Sequence, residues 1–223
     1  RTPENESLLY AQERKNRMKK SFIIVLLLTL CCCKKAERKL PYYDAPDFTP
    51  KWEMFNAETF HKIRPFHLIN QKGKNFTEKD IEGKVCVADF FFTACPGICL
   101  KMTSSMGNLQ KQFLNDDSIL LLSHSVTPEK DNAAVLAQYA KDKQVDFKRW
   151  KLLTGTKKEI YDLGRNYYFV EEDEGIKQGD DVFLHTENFV LIDKDRHIRG
   201  IYNGLDKNSI QALIADIKAL KAE

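Results

Sequence analysis

Residues 85–102 read VCVADFFFTACPGICLKM. From Val85 to Phe92 every side chain is apolar except Asp89. An unbroken apolar run, rather than an alternating one, is what a central strand covered on both faces requires. Pro96 and Gly97 interrupt the run, and Ile98, Met102, Met106, Leu109 and Phe113 then follow at helical spacing. The stretch predicts a buried strand, a turn carrying Cys95, and a helix from Pro96 to about Phe113 that carries Cys99.

The neighbouring segments extend this strand–turn–helix unit in both directions. PFHLINQKGKNF (65–76) predicts a hairpin turning at Gln71–Lys74, and FTEKDIEGK (76–84) a single helical turn stopped by Gly83. SILLLSHSV (118–126) is a second buried strand. The next helix places Val135, Leu136, Tyr139 and Ala140 on one side. WKLLTG (150–155) is a short strand and KKEIYDLGRNYYF (157–169) a helix. ENFVLIDKDRHIRGIYNG (187–204) is a hairpin turning at Lys194–Arg196. A closing amphipathic helix turns Ile210, Leu213, Ile214, Ile217 and Leu220 inward. Alternating β and α units imply an α/β domain whose central mixed sheet is mostly parallel, with helices on both faces and an antiparallel final hairpin. A cysteine pair at a βα junction in that order is the thioredoxin-like arrangement.

The 223 residues are 43% apolar and 30% charged, enough for one sizeable core. The net charge of +3 comes from interspersed signs, without the basic stripe that nucleic-acid binding uses. There is no Gly-rich phosphate loop and no internal repeat. The six cysteines form a run, Cys31 to Cys33, and a group in the body, Cys86, Cys95 and Cys99. That distribution is not an extracellular disulfide framework.

Residues 1–17 are a polar upstream segment before Met18 and are excluded from fold reasoning. From Met18, Lys19 and Lys20 precede an apolar stretch of about ten residues, too short for a bilayer that needs ~20. That stretch ends in cysteine, so 18–33 resembles a bacterial lipoprotein signal peptide, with Cys31, Cys32 or Cys33 as the lipidated residue. An uncleaved anchor and ordinary secretion are the alternatives. Residues 34–55, charged and holding Pro41, Pro46 and Pro50, read as an extended linker ahead of a domain at 56–223. The expected location is the bacterial cell membrane, with the domain facing the periplasm or the cell exterior.

With Pro96 at the first helical position, Cys95 sits near the N-cap and Cys99 in the first turn. The positive end of the helix dipole then favours thiolate at both. Residues i and i+4 of a helix hold their Cβ atoms about 5–6 Å apart. A disulfide needs about 3.5–4.5 Å, so this pair oxidises only if the turn moves. A bridging metal accepts sulfurs up to ~4.6 Å apart, and a soft two-thiolate site suits Cu(I) or Zn. A third ligand has to come from elsewhere.

Of the five histidines, His61 and His67 read as surface or hairpin residues, His124 as a satisfied core residue, and His197 as a solvated hairpin tip. His185 precedes a strand in DDVFLHTENFVLID, on a loop that reaches the sheet end bearing the cysteines. Position makes it the candidate ligand. Cys86 reads as an inert buried thiol, Met102 and Met106 as core. The acidic Val170–Asp181 reads as a solvated loop or, alternatively, a docking surface for a basic partner.

Three motifs now fall in order: FFFTACPGIC against F-x-x-T-x-C-P-x-x-C, SVTPEKD against S-V-D-P-E-x-D, and HTENFVLIDKDRHIRGIYNG. From about Pro65 to the C-terminus the chain resembles the Sco/SenC copper-chaperone family of thioredoxin-like proteins. The resemblance implies copper, as Cu(I) or Cu(II), on Cys95, Cys99 and His185, with Cys95 and Cys99 also a redox-active pair. It implies delivery of copper to the dinuclear centre of cytochrome c oxidase, or maintenance of that centre's thiols. The implied partners are the oxidase's copper-accepting subunit and a thiol-reducing protein. That is a metallochaperone more than an enzyme. An extracytoplasmic thiol–disulfide oxidoreductase is the alternative, and a thiol peroxidase a more distant one. Leu100, Leu184 and Thr127 stand where the family has Pro, an acid and Asp. Asp180 and Asp181 are near enough in sequence to replace the acid beside His185.

Overall fold

The computed structural model describes Arg14 and residues 39–54, 56, 59–170 and 184–223. The readings of residues 18–33, of the first linker residues and of the acidic stretch from Glu171 onward lie outside the described residues. The domain runs β1 (His67–Asn70), β2 (Asn75–Thr77), β3 (Val85–Phe91), α1 (Ile98–Gln112), β4 (Ile119–Ser125) and α2 (Ala133–Asp142). It continues with β5 (Trp150–Thr154), α3 (Lys157–Asp162), β6 (Asn188–Ile192), β7 (Ile198–Asn203) and α4 (Lys207–Ala222). The strands form one seven-stranded sheet in the order β2-β1-β5-β4-β3-β6-β7. β4 pairs in parallel with β3 and β5, and every other neighbour is antiparallel. The sheet is mixed, as expected, but its parallel part is only the β3–β4–β5 centre. The expectation of a mostly parallel sheet fails because both predicted hairpins join the centre antiparallel, β1 against β5 and β6 against β3.

β3 and β4 are buried along their whole length because both faces are covered. On one face Val85, Val87 and Phe91 meet Met102, Met106 and Leu109 of α1, Leu136 of α2 and Leu213 and Ile217 of α4. On the other, Cys86, Ala88 and Phe90 meet Ile160 of α3, Leu163 of the π-helical turn Leu163–Tyr167 that continues it, and Tyr168 at its end. Helices therefore cover both faces of the sheet. The hairpin at Gln71–Lys74 forms, and the helical turn after it is capped reciprocally by Thr77 and Asp80 and stopped at Gly83, where φ is +72°. Val135 departs from expectation: it is 36% exposed, and α2 buries only Leu136, Tyr139 and Ala140.

Residues 40–51 also depart from the extended linker read for them. Tyr42 and Lys51 exchange backbone hydrogen bonds of 2.7 and 2.8 Å, and the Tyr43 N–H donates to Ile198 O at 3.0 Å, extending the edge of β7. Buried Arg199 donates to the carbonyls of Leu40 and Pro41, stacks over Tyr42 and pairs with Asp193 and Glu223. The prolines and charges suggested a linker, but Leu40, Tyr42 and Tyr43 are apolar enough to hold the segment on the domain. Among the described residues no helix is long and apolar enough to cross a membrane.

Candidate metal centre

The cysteines lie where β3 leaves the sheet. Phe92 O accepts the Cys95 N–H at 3.3 Å, closing a tight turn, and Gly97 is the N-cap of α1. The helix thus starts at Ile98, two residues later than Pro96 predicted. Gly97, with φ −123° and ψ −109°, is not helical and separates Pro96 from the helix. Cys95 therefore stands outside the helix and Cys99 is its second residue. The helical i, i+4 geometry does not apply, and both thiols are free and buried.

The two thiols are not equivalent. Burial pushes the Cys95 thiol up, but bonds from the Cys99 S–H and from the backbone N–H groups of Gly97 and Cys99 outweigh it, and the net direction is down. Burial pushes Cys99 up to about 12, helped by the proton it shares with Cys95. The expectation of thiolate at both sulfurs holds in direction at Cys95 and is corrected at Cys99, where burial is the largest influence. Limited alkylation of the reduced, metal-free protein near neutral pH is expected to label Cys95 before Cys99. Peptide mass analysis reads the order, and equal labelling would contradict the asymmetry.

His185 lies just ahead of β6, which pairs antiparallel with β3 through Ala88 and Val190. This pairing carries the His185 segment past the end of β3 where the cysteine turn begins. Leu184 and Thr186 are buried and His185 between them is exposed. Leu184 packs tightly over the backbone of Gly164: a Cβ added there would stand 2.6 Å from Leu184 Cδ1. The leucine found in place of an acid is thus an apolar anchor for the segment bearing His185. Among the described residues no three His, Cys, Asp or Glu side chains are placed to hold a metal. The structure brings Cys95 and Cys99 together and leaves His185 outside their immediate geometry. Asp180 and Asp181 lie outside the described residues.

The other readings fare unevenly. Cys86, Met102 and Met106 are core, and burial raises the Cys86 thiol to about 12. His67 is exposed, and His61 is half-buried, with Nε2 2.8 Å from Tyr167 O. His124 is 0% exposed, and burial lowers it to about 4. Its Nδ1 is 3.3 Å from Asp89 O, but its Nε2 has no hydrogen-bond partner, so it is buried and only half satisfied. His197, expected in solvent, is buried with Nδ1 2.8 Å from His61 O and with Tyr42 and Phe60 beside its ring. The folded-back N-terminal segment covers it.

Among the buried carboxyl groups with no role in the sequence reading are Asp89 and Asp131. Asp89, the lone acid of the apolar run, accepts a short hydrogen bond from Ser123 Oγ, which in turn accepts from Trp150 Nε1 at 2.8 Å. Its isolation among apolar residues was the available signal. Asp131 closes the SVTPEKD motif and is 1% exposed.

Comparison with known proteins bears on this arrangement. The SCO1/SenC family model matches residues 56–222. A SCO1 protein homolog of Bacillus subtilis is 32% identical over 163 residues, 71% of this chain and 82% of that protein. The fold is similar to a SCO1/SenC family lipoprotein from Bacillus anthracis, with TM-score 0.63, 32% identity and coverage of 73% of this chain and 96% of that one. It is similar to BsSco, a member of the Sco family of cytochrome c oxidase assembly proteins in which a disulfide switch has been identified (TM-score 0.60, 29% identity, 75% and 98% covered). It is also similar to yeast Sco1 with copper bound (TM-score 0.53, 25% identity, 70% and 91% covered).

Proposed function

Because the chain belongs to the SCO1/SenC family, we propose that it binds copper through Cys95, Cys99 and His185 and serves cytochrome c oxidase assembly. The observation that carries this reading is the pair of free thiols at the open end of β3, with Cys95 shifted toward thiolate. Two thiolates and an imidazole form a soft donor set suited to Cu(I) and, with a further ligand, to Cu(II). Copper is cargo here. Its arrival displaces the proton that Cys99 shares with Cys95, so loading releases protons and weakens in acid. His185, exposed and anchored through Leu184, has to turn toward the sulfurs to complete the site. Unloading proceeds by ligand exchange with cysteines and histidines of the oxidase's copper-accepting subunit. Tethering through a lipidated Cys31, Cys32 or Cys33 would hold the domain at the outer face of a bacterial membrane, and the Bacillus anthracis lipoprotein supports that placement.

The test is copper titration of the reduced protein beside its oxidised form. One copper per chain is expected for the reduced protein and none held tightly by the oxidised one. Equal binding by both forms would remove the cysteines from the site.

The opposite shifts of the two thiols favour a second reading, a thiol–disulfide oxidoreductase acting on a partner's cysteines. A thiolate beside a protonated partner is the resting arrangement for attack on a disulfide and resolution of the mixed disulfide. Reduction of a copper-free disulfide substrate at a rate independent of His185 would favour this reading.

A further inference from the structure

We infer that Asp131 is a positioning residue for Cys95, acting through Thr93. This rests on the copper-site reading of Cys95. Asp131 is 36 residues away in sequence, at the end of the turn after β4. Its carboxylate is buried and accepts four hydrogen bonds. Oδ1 accepts from Thr93 Oγ1 at 2.5 Å. Oδ2 accepts from the Thr93 N–H at 3.1 Å, from Ser125 Oγ at 2.6 Å and from Thr127 Oγ1 at 3.1 Å.

Two of these bonds go to the residue two before Cys95. Thr93 is the second residue of the turn that Phe92 O and the Cys95 N–H close. Fixing its backbone and its hydroxyl fixes the direction in which the chain presents Cys95. The other two bonds hold Ser125 and Thr127, on the neighbouring parallel strand and the turn beyond it. The Val126 N–H donates to Phe91 O at 2.8 Å, so the two strand ends are tied by backbone as well. Asp131 thus clamps the cysteine turn to the rigid end of β4. A buried carboxylate surrounded by four donors is specific: an amide presents one acceptor fewer and a donor facing donors. The Thr of F-x-x-T-x-C and the last Asp of S-V-D-P-E-x-D are then one device. Thr127 keeps a link to it where the family has an acid.

The test compares Asp131→Asn, Thr93→Val and Thr93→Ser in the otherwise unchanged protein. The probes are copper titration, the Cu(II)–thiolate absorption band and the alkylation rate of Cys95 without metal. Thr93→Val removes the hydroxyl donor, and Thr93→Ser keeps it. Asp131→Asn and Thr93→Val are expected to lower copper affinity roughly tenfold or more. They should also shift the thiolate band and slow Cys95 alkylation several-fold, while copper still saturates at one per chain. Thr93→Ser should behave as wild type on all three. A purely structural role predicts a lower melting temperature with band and alkylation rate unchanged, and that result overturns the proposal. If Asp131→Asn does not fold, the threonine pair decides alone. If wild type itself binds no copper, the copper reading fails, and the alkylation rates still decide whether Asp131 positions Cys95.

Discussion

His185→Ala is expected to weaken copper binding by on the order of a hundred- to a thousandfold and to leave the fold intact. A metal site of thiolates and imidazoles gives apparent binding free energies of ~10–16 kcal/mol shared over about four ligands. One ligand then carries about 2.5–4 kcal/mol, which converts to a loss of that order. The histidine is exposed, so its truncation removes little packing. Surface changes of that kind usually stay within about 0.5 kcal/mol in stability. Competition with a chelator of known affinity reads the first effect and thermal unfolding without metal the second. Unchanged affinity in both copper oxidation states would exclude His185 as the third ligand. A parallel drop in stability without metal would show instead that His185 braces the segment anchored by Leu184.

The elements that sequence reading predicted well are those whose signal is local. The apolar run at Val85–Phe91, the turn stopped by Gly83 and the periodicity from Met102 to Leu109 carry their own evidence. The misreadings share a different cause. Pro96 was placed inside the helix because proline favours its first position, but the Gly97 backbone conformation decided where the helix begins. His197 looked solvated because it follows a polar turn, yet contacts from 136 residues upstream cover it. The same folded-back segment turned a composition that reads as linker into an edge of the sheet. At the candidate site, motif spacing brought out Cys95, Cys99 and His185 as candidates, and the structure leaves His185 outside the immediate geometry of the cysteines. Spacing could not show that the two thiols are shifted in opposite directions, since that depends on the local path of the chain between them. Asp131 was visible as a motif letter, but its function appears only when the ends of β3 and β4 are seen side by side.

Asp89→Asn is expected to stabilise the protein at and above neutral pH by up to about 4 kcal/mol and to have little effect near pH 4. Asp89 is 1% exposed in the middle of β3, and burial raises it from 3.8 to about 7, against the opposing hydrogen bond from Ser123. The folded-state value lies above the unfolded one. Stability is therefore fully present below about pH 4, where the carboxyl is neutral in both states. It is lost progressively as the pH rises toward about 7, because only the unfolded chain ionises freely over that interval. The interval from 3.8 to about 7 corresponds to about 4 kcal/mol. Asparagine keeps the shape and the oxygen that accepts from Ser123, but it cannot ionise, so its stability should not fall over this range. The amide N–H2 needs partners of its own, which makes 4 kcal/mol the upper end. Denaturant unfolding of both proteins from pH 4 to pH 8 should give curves that meet in acid and separate toward neutrality. Curves that stay parallel would mean Asp89 ionises as readily when folded as when unfolded. The charge on Asp89 also helps to push up Cys99, after burial and the bond to Cys95. The same variant should therefore titrate Cys99 at a lower pH. A rise in stability together with easier ionisation of Cys99 would show that the acid beneath the cysteine turn lowers stability at neutral pH and keeps the second thiol protonated.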